Sequence, residues 1–194
     1  MRNWNGCSNN DLERAQRVIH PFAPVWDPYC RILILGSFPS VKSREQCFYY
    51  GHPQNRFWRM IAAVYDEKVP VTVDEKREML LRRHIALWDV IKSCRIIGSS
   101  DASICDAVPN DLHELMEQCP LDTVILNGKT AERLYMRYWK DLSVHALTLP
   151  STSPANAIWN LERLTEVWAA ALNGKDIPAF SKIPENALKK QQNA

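Results

Sequence analysis

Arg31-Ile32-Leu33-Ile34-Leu35-Gly36 decides the fold. The apolar run is continuous rather than alternating and closes on a glycine, the pattern of a strand buried on both faces of a parallel sheet. The pattern returns at residues 122–126, Asp-Thr-Val-Ile-Leu, which run into Asn127-Gly128. Residues 144–149, closed by Pro150, make a third strand, and a short strand fits 85–91. Between them the period changes. Phe57, Ile61, Val64 and Tyr65 recur at helical spacing after Asn55, and a second helix fits 74–84. Asn110 is placed to cap a helix over 111–118, ended by Pro120. A helix follows from Lys129 to about Tyr138, and Leu161, Leu164, Val167, Trp168, Ala171 and Leu172 mark the last one. Residues 1–30, interrupted by Pro21, Pro24 and Pro28, read as irregular, and 95–108 reads as a loop. Strands alternating with helices predict an α/β domain: three layers, α/β/α, around a short, mostly parallel sheet.

The chain has 194 residues, one domain's worth on the usual range of roughly 100–200. At that length folding buries about 70% of the unfolded surface, enough for one core without staples. We assign 1–174 to a single domain and 175–194, which lose helical period and end in a polar stretch, to a C-terminal tail. No apolar run approaches the roughly 18 residues of a membrane span, and residues 1–10 are polar, so the expectation is a cytoplasmic protein. The six cysteines contain no CxxC pair, which favours reduced thiols and leaves zinc and iron–sulfur patterns without support. Net charge is +2, yet Lys42, Arg44, Arg56 and Arg59 stand against Glu45 alone, and Lys129, Arg133, Arg137 and Lys140 against Glu132 alone. Such clusters serve either as phosphate contacts or as solvated helix faces.

In open parallel sheets ligands bind beyond the carboxyl ends of the strands. Those ends carry Gly36-Ser37-Phe38-Pro39-Ser40, Asn127-Gly128-Lys129 and Pro150-Ser151-Thr152-Ser153-Pro154-Ala155-Asn156. Neither GxGxxG nor a P-loop is present, and no GxSxG elbow presents a serine. None of the three loops offers the facing carboxylates of a sugar glycosidase. Amides, hydroxyls, aromatics and bases without an obvious acid fit a reaction whose leaving group departs largely by itself, helped by hydrogen bonds and a positioned water.

Gln46-Cys47-Phe48-Tyr49-Tyr50-Gly51-His52-Pro53-Gln54-Asn55-Arg56-Phe57-Trp58 is unusually dense in aromatics and amides. Such a mixture can stack on a flat base and read its edge. It equally describes a turn into a helix, with Asn55 as cap and Phe57 and Trp58 as core. Ser153-Pro154 likewise fits the start of a short turn. His52 is either a phosphate or leaving-group contact or a structural histidine.

Gly36-Ser-Phe-Pro-Ser40, Gly51-His-Pro-Gln-Asn-Arg-Phe-Trp58 and Ser151-Thr-Ser-Pro-Ala-Asn156 together resemble the uracil-DNA glycosylase superfamily over roughly 31–172. The middle octet is similar to the segment after the first motif of mismatch-specific uracil/thymine-DNA glycosylases, and Leu126-Asn127-Gly128-Lys129 matches their third-strand end. Those enzymes carry Gly-Ile-Asn-Pro-Gly in the first motif, where the Asn positions the attacking water. Phe38 stands in that place here and cannot hold a water by hydrogen bonding. The combination instead resembles the hypoxanthine-DNA glycosylase branch, which lacks that residue.

The resemblance implies the uracil-DNA glycosylase-like fold and a monofunctional base-excision enzyme without metal or other cofactor. Its partner would be DNA containing a deaminated base, most closely deoxyinosine, and a monomer is compatible with that. Asn55 would be the catalytic amide; Phe38 and Phe48 would stack on the flipped purine, and Asn127 and Asn156 would read its edge. Ser151, Thr152 and Ser153 would grip flanking phosphates, with Lys129 and Arg56 adding charge; Gly36, Ser37, Pro39, Ser40 and His52 complete the motif loops. Three alternatives stay open: a broader uracil and mismatch enzyme, a non-catalytic lesion-binding module, and a nucleoside hydrolase.

Overall fold

The computed structural model describes residues 14–173; the N-terminal stretch and the tail assigned to 175–194 lie outside the described residues. Strand β2 (Ile32–Gly36) is the hub. It pairs in parallel with β3 (Ile85–Asp89) on one side and with β6 (Thr123–Asn127) on the other, and β6 pairs in parallel with β7 (His145–Leu149). The order β3-β2-β6-β7 puts the reversal of winding beside β2. That is where an open parallel sheet leaves a crevice.

Register sorts the side chains into two cores. Ile34 sits level with Leu87 and Ile125 on one face, and Leu33 with Ala86 and Val124 on the other; all six are fully buried. The first face is covered by α2 (Phe57–Val64), α3 (Val73–Leu81) and α6 (Leu161–Leu172), where Trp168 meets Phe57 edge-on with centroids 6.3 Å apart. The second is covered by α4 (Leu112–Gln118) and α5 (Lys129–Tyr138), together with a sheet that the periodicity does not announce. This sheet is antiparallel, in the order β1 (Gln16–Ile19), β4 (Ile91–Ile96), β5 (Cys105–Pro109). It corrects two expectations. Part of the stretch read as irregular is β1, and the loop assigned to 95–108 holds the end of β4, a short 3-10 turn (Asp101–Ser103) and β5.

The strand expected over 85–91 is two strands that change sheet at Val90. Asn110 caps no helix. Asp111 caps α4 by accepting from His113 N, while the buried Asn110 donates through Nδ2 to the Asp89 carbonyl at 2.8 Å. A short helix, α1 (Val41–Glu45), follows the β2 loop and is capped by Ser40. Four of the five described cysteines are buried, and none of the five is joined in a disulfide. Burial pushes the Cys30 thiol up to about 12, so it stays protonated and inert. Among the described residues no helix is long and apolar enough to cross a membrane.

Candidate active site

A cavity of about 330 Å³ opens at the carboxyl ends of the parallel strands. Gly36 to Ser40 form one wall and Ser151 to Ala155 another. His52 and Asn55 reach it from the segment before α2, and Asn127 from the end of β6. The volume lies at the small end of the range for small-molecule pockets, about 300–1,000 Å³.

Tight local chemistry holds these loops. Ser43, buried in α1, bonds Ser40 Oγ at 3.0 Å and accepts from Gly51 N at 3.0 Å, tying the β2 loop to the aromatic segment. Cys47 and Tyr50 take left-handed backbone conformations (φ 49° and 52°), a strain that non-glycine residues keep only where the surroundings impose it. The turn at Tyr50 stacks its ring on Phe57, with centroids 4.0 Å apart. The Tyr50 hydroxyl accepts from Asn127 Nδ2 at 3.0 Å. Burial, helped by the nearby Asp89 charge, pushes the phenol well above its ordinary value, so it keeps its proton at the cavity.

Asn127 is a tie between loops. Its Nδ2 also donates to Thr152 Oγ1, and its Oδ1 accepts from Thr152 N, each at 3.0 Å. With both amide hydrogens used inside the protein, it has no donor left for a base. Thr152 is fully buried and faces Asn127, so it cannot reach a phosphate, whereas Ser151 and Ser153 are half-buried at the cavity. Gly128 has φ 97°, and an added β-carbon would lie 2.7 Å from the Ser151 β-carbon, so only glycine lets the two loops approach.

Asn55 is not the cap of α2, whose cap position falls on Arg56 without a side-chain cap bond. Its Oδ1 accepts from Phe57 N at 2.9 Å at the entry to α2, and its Nδ2 has no partner among the described residues beside the cavity. Phe38, 7% exposed, lines the cavity and meets His20 edge-on.

Four expected contacts do not line the cavity. Phe48 is stacked on Trp58 in the core beneath α2, because its place in the turn points it inward. Asn156 donates through Nδ2 to the Ser151 carbonyl, bracing its own loop. Lys129 stands exposed and pairs with Glu132 at 2.9 Å. Arg56 is half-buried and donates to the carbonyls of Thr152, Ser153, Asn156 and Trp159, so it clamps the 152–159 loop.

The cavity does contain acid, contrary to the reading of its loops. Asp89, at the end of β3, and Asp101, in the 3-10 turn, both line it. Ser37 Oγ donates to both Asp101 oxygens at 2.9 and 3.0 Å, and burial pushes that carboxyl above its ordinary value. Tyr50 lay within the aromatic segment without being singled out, and Asp89 and Asp101 carried no motif signal. Among the described residues no group of three or more His, Cys, Asp or Glu side chains converges as a metal site would require.

A parallel sheet with a small cavity at its switch point, walled by Gly36–Ser40 and Ser151–Ala155, is the arrangement of a ligand-binding α/β domain. The chain belongs to the uracil DNA glycosylase superfamily, whose model matches residues 23–172 and so takes in every residue lining the cavity. It is 36% identical over 151 residues to a hypoxanthine DNA glycosylase of Methanosarcina acetivorans, covering 77% of this chain and 94% of that one. A hypoxanthine DNA glycosylase of Methanosarcina barkeri is 35% identical over 152 residues, with 77% and 95% covered. The solution NMR structure of a candidate uracil DNA glycosylase from M. acetivorans superposes with a TM-score of 0.69 at 35% identity, covering 79% of this chain and 95% of that one.

Proposed function

We propose that this protein is a DNA glycosylase that hydrolyses the N-glycosidic bond of deoxyinosine and releases hypoxanthine. The observation that carries the reading is the 36% identity to a hypoxanthine DNA glycosylase across 94% of that enzyme's length. The target nucleotide leaves the helix and enters the cavity at a cost of a few kcal/mol, least where pairing is already weak. Phe38 offers the base a flat apolar wall, and the protonated Tyr50 hydroxyl stands beside it. Asn55 Nδ2 is the free amide donor, placed to bond the departing base or a water. Ser151 and Ser153, with the neighbouring backbone, meet the flanking phosphates.

The enzyme acts as a monofunctional glycosylase, leaving the sugar–phosphate strand intact. One chain supplies every group invoked, so the working unit is a monomer, and the step calls on no metal ion.

A substrate panel tests this. Duplexes carrying one deoxyinosine, uracil, xanthine or undamaged base are incubated with wild type and Asn55→Ala in EDTA, then cleaved with alkali at abasic sites. We expect inosine-selective release, with Asn55→Ala at least about a hundredfold slower, the loss typical of one positioned hydrogen-bond donor. Equal release of uracil would broaden the substrate class. Tight inosine binding without release from any base would make the protein a lesion-binding module and overturn the reading.

A further inference from the structure

Asp89 and His20 meet at the cavity, and nothing in the reading above uses them. Asp89 is the cross-strand partner of Gly36 and the last residue of β3 before the chain changes sheet. Its backbone is fixed from both sides: Asn110 Nδ2 donates to its carbonyl, and Val90 N donates to the Gly36 carbonyl at 2.9 Å. Its carboxylate is 6% exposed yet lines the cavity. Oδ2 accepts from His20 Nε2 at 2.9 Å, while Oδ1 lies over Gly36, so close that a β-carbon there would collide with it. The His20 imidazole, 3% exposed, is held by the rings of Phe22, Phe38 and Tyr49. Its Nδ1 has no partner among the described residues.

Holding a carboxylate this deep is costly unless its charge is used or paired. Here one oxygen is paired with His20 and the other lies over Gly36 at the cavity. Phe38, two residues beyond Gly36, supplies no polar atom to hold water, whereas Asp89 approaches the same loop from the neighbouring strand.

We propose that Asp89 is a catalytic carboxylate whose Oδ1 orients the attacking water and takes its proton, and that His20 positions it; this rests on the glycosylase reading. The water oxygen bonds to C1′ as the C1′–N9 bond breaks. The electron pair leaves with N9 of hypoxanthine. The water's proton passes to Asp89 Oδ1 and from there to solvent or the departed base.

The test compares single-turnover base release from a deoxyinosine duplex with the Kd for that duplex, in wild type, Asp89→Asn, His20→Ala and His20→Asn. Asp89→Asn is expected to slow release by roughly 10²–10⁴-fold, the usual loss of a general base, with binding no weaker than wild type. His20→Ala is expected to slow release about tenfold, and His20→Asn, whose amide can still donate to Oδ2, to recover most of that loss. Wild-type release from folded Asp89→Asn overturns the proposal. So does a rise in Kd that matches the lost rate, which would make Asp89 a base-binding group. If Asp89→Asn does not fold, Asp89→Ala is read with added formate: restored release supports the proposal, and none overturns it. An inactive wild type that folds and binds the duplex contradicts the glycosylase reading itself, a separate result.

Discussion

Gly36 carries the tightest constraint at the cavity. A β-carbon there would lie well inside contact distance of Asp89 Oδ1 and 3.2 Å from the Tyr50 hydroxyl. Neither neighbour can retreat: Asp89 is held by His20, and Tyr50 by Asn127 and Phe57. Gly36→Ala is therefore expected to destabilise the fold by about 1–3 kcal/mol, as forced overpacking does, and to lower base release more than stability loss explains. Urea unfolding and a release assay on the same sample check this. Unchanged stability would mean that Asp89 moves freely. The glycine was visible in the sequence as the end of a strand, but its reason was not, because Asp89 and His20 lie in segments without motif character. The resemblance singled out Phe38 and Asn55, and both line the cavity. It could not say which way Phe48 turns or that loop carbonyls occupy Arg56, since both depend on the turn geometry between elements.

The parallel strands and long helices were legible because each buries a continuous apolar run or a helical stripe. The helix expected from Lys129 to Tyr138 has those ends in the structure. The antiparallel sheet was not legible. In β1 no residue is fully buried, and β4 and β5 pair through register shifts, so neither alternation nor a continuous run betrays them. Helix α3 shows a different local device. Thr72 and Glu75 form a capping box at its start. Beyond its end, Arg82 and Arg83 both bond Glu67, each at 2.6 Å, tying the turn after α2 to α3. Hydrogen bonds from Arg83, then Arg82, hold the Glu67 carboxyl below its ordinary 4.5. A carboxylate with a lowered folded value stabilises the fold above its unfolded value, and that contribution disappears as pH falls through the folded one. The stability difference between wild type and Glu67→Gln is thus expected to be full at pH 7 and to shrink as pH drops below about 4.5. Thermal melts across pH measure it; a difference independent of pH would remove the charge from the explanation.

Across the whole molecule, one architectural fact organises the site: the order β3-β2-β6-β7 reverses at β2, and the cavity lies there. The second sheet does more than cover the core. It carries Ile96, Ser99 and Asp101 to the cavity and brings His20 to Asp89, so the glycosylase fold acquires acidic groups against its first motif loop. The alternation of strand and helix patterns set the class of fold but not this acidic arrangement, which exists only through pairings between distant segments. Net charge of +2 likewise says little about DNA, since local carbonyls and acids engage several of the cations near the site. The central claim is hydrolytic release of hypoxanthine, and direct product analysis tests it. A duplex with one deoxyinosine is incubated with the wild-type protein, and both free base and strand length are measured before any alkali. The account predicts free hypoxanthine in equal amount to abasic sites, with the strand still intact. Bound duplex with no free hypoxanthine, or strand scission without it, would contradict the account.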